Sequence, residues 1–322
     1  MSPAGGLGEF ELIGRFFDRG PARHAQLGIG DDCALLGAPA PGESLAIATD
    51  MLVGGRHAFD DVAPAALGHK ALAVNLSDLA AMGAQPLAFT LALALPSADE
   101  AWLAEFSRGM FALADRHDCE LIGGDTTRGP LNVCITVIGR VPAGAALRRD
   151  GAQPGHDLWV SGELGAAAFA VEERKQGRPL AEEDPARIRL DRPEPRVALG
   201  LALRHLASAA IDLSDGLAGD LGHVLERSRV GAKLVWPRVP VSGPLRALPQ
   251  ERRMRLALAG GDDYELLFAA APENRIAIEA LGERLGLRLT RIGEFDAGDA
   301  VRILDERDRP IAWAGHGFDH FA

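Results

Sequence analysis

The sequence predicts two α/β halves of comparable size. Three observations carry this. Apolar runs of strand length alternate with stretches of helical periodicity along the whole chain. A polar stretch containing Gly and Pro, LRRDGAQPGHD (residues 147–157), separates one such series from the next. The chain has 322 residues, 47% of them apolar, enough for one large domain or two.

In the first half, GEFELIGRFF (residues 8–17) has helical spacing, and SLAIATD (44–50) reads as a strand ending at an acid. Residues 63–84 form a long helical pattern, PLAFTLALAL (86–95) a strand, and residues 100–117 another helix. CELIGGDT reads as a short strand breaking at its Gly-Gly pair, and LNVCITVIGRV (131–141) as a full strand. In GIGDDCALLG (28–37), the apolar residues from Cys33 onward read as a buried strand.

In the second half, LWVSGELGAAAFAVEE is strand, glycine turn and helix. RPEPRVALGLALRHLA is a helix opened by prolines. SAAIDLSDGLAGDLGHVLERS is strand, acidic turn and helix, and GGDDYELLFAAAP is a turn entering a strand. ENRIAIEALGERLG is a helix closed by glycine.

A net charge of −11 argues against nonspecific binding to nucleic acid or an anionic membrane. The amino terminus lacks the basic start and apolar core of a signal peptide. The longest apolar run, near residues 86–96, is too short to span a bilayer. Cys33, Cys119 and Cys134 show no CxxC spacing, which fits small buried thiols in a reducing cytoplasm.

The chemistry concentrates in acidic turns. Asp31 and Asp32, Asp50, Asp78, Asp125, Asp212 and Asp215, and Asp262 and Asp263 fall at the ends of apolar runs, several beside glycine. Any one of these is adequately explained as an Asp-Gly turn. Their recurrence points further. Ligands in α/β folds collect where strands end, and glycine lets the backbone approach them. Carboxylates beside Thr49, Thr126 and Ser214 offer the hard oxygens that magnesium shares with phosphates. Crowded carboxylates also call for compensating cations. No GxxxxGK[ST], GxGxxG or protein-kinase signature is present, and lysines number only three, Lys70, Lys175 and Lys233. ATP binding here would therefore run through metals and glycine-rich backbone.

Together these segments resemble the thiamine-monophosphate kinases, in the superfamily of aminoimidazole ribonucleotide synthetase and selenophosphate synthetase. GEFELIGRFF, GIGDDCALL, TDMLVGGRHAF, KALAVNLSDLAAMGAQP, LIGGDTTRGP, IDLSDGLAGDLGH, GGDDYELLF and the terminal GFDHF occur in family order along nearly the whole chain. The resemblance implies a two-domain, mixed α/β fold like that of aminoimidazole ribonucleotide synthetase. Residues 1–149 would bind ATP and magnesium and form a β-barrel with a second subunit. Residues 150–322 would form an α/β domain completing an active site lined by both domains. It also implies Mg²⁺-dependent transfer of the ATP γ-phosphate to thiamine monophosphate, without a phosphoenzyme, in a cytoplasmic homodimer.

Residue by residue, the resemblance assigns metal ligation to Asp32, Thr49, Asp50, Asp78, Asp125, Asp212 and Asp215. Ala48 occupies a position where relatives often carry serine, so only its backbone oxygen could ligate. Asp31 ranks below Asp32, with a turn-orienting role as its alternative. ATP contacts fall on Gly124, Asp125, Arg149 and Ser214. Substrate contacts fall on His57, Asp262 (where relatives often carry glutamate) and Phe318. No side chain is assigned as a dedicated catalytic base, because the accepting phosphate is ionised near neutral pH. Two alternatives stand beside this reading. One is a purine-pathway ATP-dependent synthetase, disfavoured by GFDHF with GGDDYEL. The other is a nonenzymatic nucleotide- or metal-binding scaffold, disfavoured by the retained acids. Selenophosphate synthetase is disfavoured because no cysteine lies in a glycine-rich N-terminal segment.

Overall fold

A computed structural model describes residues 8–313. The chain divides into two compact units, Met1–Leu79 with Gln85–Ala143, and Ala80–Ala84 with Gly144–Ala322.

The first unit runs α1 (Glu9–Phe16), β1 (Ala25–Leu27), β2 (Leu35–Leu36), β3 (Glu43–Val53), α2 (Pro64–Ala81), β4 (Gln85–Leu95), α3 (Glu100–Arg116), β5 (Glu120–Arg128) and β6 (Asn132–Pro142). Its main sheet has the order β3-β6-β4-β5. Only the β4–β5 pair is parallel, and α3 makes the crossover between them. Asp99 starts α3 by accepting the N–H groups of Ala101 and Trp102. Side chains alternate along the strands, so one face collects Leu91, Leu93, Val133, Ile135 and Val137, all buried. Leu72, Leu76, Phe106 and Met110 of α2 and α3 are equally buried. The two helices cross backbone to backbone. A Cβ on Gly68 would lie 2.1 Å from the Phe106 carbonyl oxygen, and one on Gly109 would lie 1.9 Å from that of Ala65. The opposite face is open: Leu45, Ile47 and Met51 of β3 are 39%, 64% and 50% exposed.

Three local expectations are corrected here. β5 does not break at Gly123-Gly124 but continues to Arg128, because the β4 ladder pairs with it as far as Leu95–Arg128. The residues after Cys33 form only the two-residue β2, with Cys33 and Leu35 exposed, so this is no buried strand. Of the three thiols only Cys119 is buried; Cys134 is intermediate.

The second unit runs β7 (Asp157–Ser161), α4 (Ala166–Lys175), α5 (Pro185–Asp191), α6 (Val197–Leu203), β8 (Ala207–Asp212), α7 (Leu217–Ser228), β9 (Gly231–Val235), α8 (Gln250–Leu258), β10 (Leu266–Ala270), α9 (Arg275–Leu285), β11 (Leu289–Asp296) and β12 (Val301–Leu304). The six-stranded sheet has the order β12-β9-β11-β7-β10-β8, with only β12–β9 parallel. Leu217, Leu221 and Val224 of α7 and Met254 and Leu258 of α8 share a core with Leu158, Val160, Ile211 and Leu267 of the sheet. The helix expected from the Pro193–Pro195 region is the short α6, which starts after both prolines. α9 ends as expected at Gly286, whose φ of 59° suits a glycine stop. Both units are thus mixed α/β, as expected.

Candidate functional site

The candidate acids of the first unit lie on four structural supports. Asp31 and Asp32 sit, exposed, in the turn between β1 and β2. Gly30 there has a φ of 118°, a region that suits glycine. Asp31 Oδ1 accepts the N–H of Asp32 at 2.9 Å, so Asp31 shapes the turn and leaves the Asp32 side chain at its exposed tip.

Asp50 lies on β3, and its N–H donates to Asn75 Oδ1 of α2 at 3.0 Å. Asn75 is fully buried and donates to the Ala71 carbonyl, so its amide is fixed. Asp78 follows Asn75 by three residues and lies on the same side of α2. Asn75 therefore anchors the Asp50 backbone to the side of the helix that carries Asp78. Ala48 shares the Asp50 face of β3. Thr49 points to the other face, where its hydroxyl meets that of Thr136 at 2.8 Å. The Thr49 hydroxyl and the Asp50 carboxylate thus leave opposite sides of the strand. His57 closes the loop after β3: its Nδ1 accepts the N–H of Val53 at 3.0 Å.

Asp125 is exposed on β5, paired with Ala92, which places it on the open face with Thr49. Gly124 has a φ of 148°, and a Cβ there would stand 1.8 Å from the Leu91 carbonyl oxygen. Its glycine identity thus has a packing cause whatever else it contacts.

In the second unit, Asp212 ends β8 and Asp215 opens the turn into α7. Asp220, in the first turn of α7, reaches back to accept the N–H groups of Asp215 and Gly216, each at 3.1 Å. Asp220 is only 2% exposed. Burial, then the Asp212 and Asp215 carboxylates, push its pKa up to about 8, against the two N–H bonds that lower it. Three acids here therefore bear on one another.

A second loop is stitched to this turn. The N–H groups of Asp262 and Tyr264 donate to the Ser214 and Leu213 carbonyls at 2.9 and 2.8 Å, and Leu213 N–H donates to the Glu265 carbonyl at 2.8 Å. Asp263 accepts the Gly165 N–H at the start of α4; burial holds its carboxyl well above the usual range. Glu265 is fully buried and takes hydrogen bonds from Arg189, Arg196 and Ser161. Tyr264 donates to Asp262 Oδ1 at 3.0 Å.

The structure therefore brings Asp50 and Asp78 to linked supports, and gathers Asp212, Ser214, Asp215 and Asp262 around two bonded loops. Asp32 and Asp125 stand on separate exposed supports. The Arg149 carbonyl accepts the Ser228 hydroxyl at 2.7 Å, and the residue is exposed. Phe318 lies outside the described residues. Asn75, Asp220, Tyr264 and Glu265 bond to or beside the candidate residues and are not among the expected ones. Asp220 had a readable signal, an acid in the first turn of a helix opened by SDG.

Magnesium fits the donor chemistry, because carboxylate and threonine oxygens are the hard ligands it takes. A divalent cation would also relieve the repulsion at Asp212, Asp215 and Asp220. Among the described residues no three His, Cys, Asp or Glu side chains already converge as a cation cage. Open coordination positions would then fall to phosphate oxygens and water.

Comparison with known proteins identifies the family. Residues 30–141 match the model of the AIR synthase related protein N-terminal domain, and residues 153–306 that of the C-terminal domain. A thiamine-monophosphate kinase of Escherichia coli strain K12 is 48% identical over 322 residues, covering 98% of each chain. The crystal structure of a thiamine-monophosphate kinase from Stenotrophomonas maltophilia K279a superposes with a TM-score of 0.83 at 49% identity, over 91% of this chain and 94% of that one. A structure described as AaThiL complexed with AMPPCP and TMP superposes with a TM-score of 0.76 at 28% identity, over 88% and 89%. On its sequence and its two-unit fold, the chain belongs to the thiamine-monophosphate kinase family of AIR synthase related proteins.

Proposed function

We propose that this chain transfers the γ-phosphate of ATP to thiamine monophosphate, giving thiamine diphosphate and ADP. The observation that carries this is the match to thiamine-monophosphate kinases along 98% of the chain, which includes every aspartate named above. An oxygen of the thiamine monophosphate phosphate attacks the γ-phosphorus. The bond from that phosphorus to the bridging oxygen of ADP breaks, and ADP leaves with the electron pair. Bound magnesium ions supply charge neutralisation and hold the two phosphate groups in line.

The residues have distinct tasks in this proposal. Asp32, Asp50, Asp78, Asp125, Asp212 and Asp215 hold magnesium through carboxylates. Thr49 also ligates magnesium, and Ala48 contributes only a backbone oxygen. Gly124, Asp125, Arg149 and Ser214 bind ATP, the arginine as a phosphate partner. His57, Asp262 and Phe318 bind thiamine monophosphate. The acceptor oxygen is already ionised near pH 7, so no side chain has to remove a proton.

We assign ATP and magnesium binding and dimerisation to residues 1–149, and completion of the site to residues 150–322. The dimer reading is supported by the open apolar face of β3, where Leu45, Ile47 and Met51 are exposed on an edge strand. A second copy pairing there, into a barrel, would cover that face. Among the described residues no helix is long and apolar enough to cross a membrane. We place the enzyme in the cytoplasm, where thiols without disulfide spacing remain reduced. Incubation with ATP, Mg²⁺ and either thiamine monophosphate or thiamine tests the reaction. Thiamine diphosphate from the monophosphate alone is expected. Its formation from thiamine would indicate a pyrophosphokinase.

A further inference from the structure

We propose that Tyr264 is a positioning residue for substrate selection, its hydroxyl fixing the Asp262 carboxylate that receives the cationic ring of the substrate. This rests on the proposed function, in which Asp262 binds thiamine monophosphate, a molecule with a permanently charged thiazolium. Such a ring offers no N–H at its charged nitrogen. A carboxylate recognises it by charge and placement, so the orientation of that carboxylate matters.

The loop is built to fix that orientation. Asp262 and Tyr264 both have left-handed backbones, with φ of 67° and 48°. Side-chain-bearing residues rarely adopt this conformation, and such strain persists only where surroundings over-determine it. Here they do. The Asp262 and Tyr264 N–H groups are bound to the Ser214 and Leu213 carbonyls, and between them Asp263 is locked to the Gly165 N–H. A Cβ on Gly261 would sit 2.3 Å from the Ser214 carbonyl oxygen, so the loop lies directly against the acidic turn.

Tyr264 is 8% exposed, whereas Asp262 is half-buried. The ring packs inside, and the hydroxyl reaches out to the carboxylate at 3.0 Å. Phenylalanine would satisfy the packing equally well. The hydroxyl therefore serves Asp262. Its effect belongs to the substrate side, while Ser214 and Asp215 on the neighbouring turn serve the nucleotide and metal.

Steady-state kinetics of Tyr264→Phe, Asp262→Asn and the double variant test this. Tyr264→Phe should raise KM for thiamine monophosphate about tenfold, the usual effect of losing a hydrogen bond to a charged group. KM for ATP should stay within about twofold, and the double variant should be no worse than Asp262→Asn alone. The chain has one tyrosine, so protein labelled with fluorotyrosine gives one fluorine resonance. That resonance should move on adding thiamine monophosphate, and not in Asp262→Asn protein. An unchanged KM for thiamine monophosphate in Tyr264→Phe would overturn the proposal. So would parallel rises in both KM values with a lowered Tm, the mark of a merely structural role. Failure of wild-type protein to form thiamine diphosphate would overturn the function instead, and the fluorine response would still decide the role of Tyr264.

Discussion

The two glycines of LIGGDT should respond very unequally to the same substitution. Gly124 has a φ of 148°, and a Cβ there would lie 1.8 Å from the Leu91 carbonyl oxygen. Ordinary contact begins near 3.4 Å, so β4 and β5 would have to separate locally by about 1.5 Å, against a normal strand spacing of about 4.8 Å. That disrupts the ladder at Leu91–Gly124 and adds the cost of an L residue at positive φ. The sum is about 3–4 kcal/mol for Gly124→Ala, a large fraction of a typical folding stability. Gly123 has nothing within 4 Å of its would-be Cβ. Gly123→Ala should therefore change stability by less than about 1 kcal/mol. Thermal unfolding of both variants is the assay. Gly124→Ala should lose on the order of 10 °C in Tm, against 1–3 °C or less for Gly123→Ala. Displacement of Asp125 should also raise KM for ATP in Gly124→Ala. A Gly124→Ala protein with wild-type Tm and KM would refute the close approach of β5 to β4.

Asp78→Asn should abolish turnover at ordinary Mg²⁺ while leaving Tm nearly unchanged, because the half-buried amide keeps the shape of the side chain; full-rate catalysis would remove Asp78 from the metal set. Ile47→Asp should shift the protein from the proposed dimer to monomer in sedimentation, since it places a charge on the open face where Ile47 is 64% exposed; an unchanged dimer would put the interface elsewhere, and a monomeric wild type would refute the dimer itself. Asp157 is 1% exposed; burial alone would raise its carboxyl, but Arg275 and Arg291 outweigh this and hold it below 3.8. Its contribution is fully present above the unfolded value, near pH 4, and is lost as pH falls through the lower folded value. Asp157→Asn should cost about 2 kcal/mol near pH 7, allowing for the 44% exposure of Arg275, with the gap from wild type closing in denaturant titrations below pH 4.

The sequence was most legible where local signals and tertiary packing agree. The helix expected at residues 100–117 is found at Glu100–Arg116, because Asp99 caps it and its apolar stripe is its buried stripe. β4 and β6 were legible as long apolar runs, whereas β3 was expected to end at Asp50 and is carried on to Val53 by its ladder with β6. β5 was not, because what carries it through two glycines is the β4 ladder, whose partners Thr90 and Leu91 lie 33 residues before Gly123 and Gly124 and leave no local trace. The short β1, β2, β9 and β12 likewise owe their existence to partners. Among site residues, the acids stood out by type and spacing. Asn75 and Tyr264 did not, because their roles depend on a strand crossing a helix and on left-handed backbones at Asp262 and Tyr264, either side of Asp263. The faces on which Thr49 and Asp125 stand also required the register.

The central claim is direct transfer of the γ-phosphate to a phosphate acceptor. It is tested most directly with ATP labelled at the γ-phosphate, incubated with the protein, Mg²⁺ and thiamine monophosphate. The label should appear in the terminal phosphate of thiamine diphosphate, with one ADP formed per diphosphate. Release of AMP, label in free phosphate without thiamine diphosphate, or label retained on the protein would contradict it.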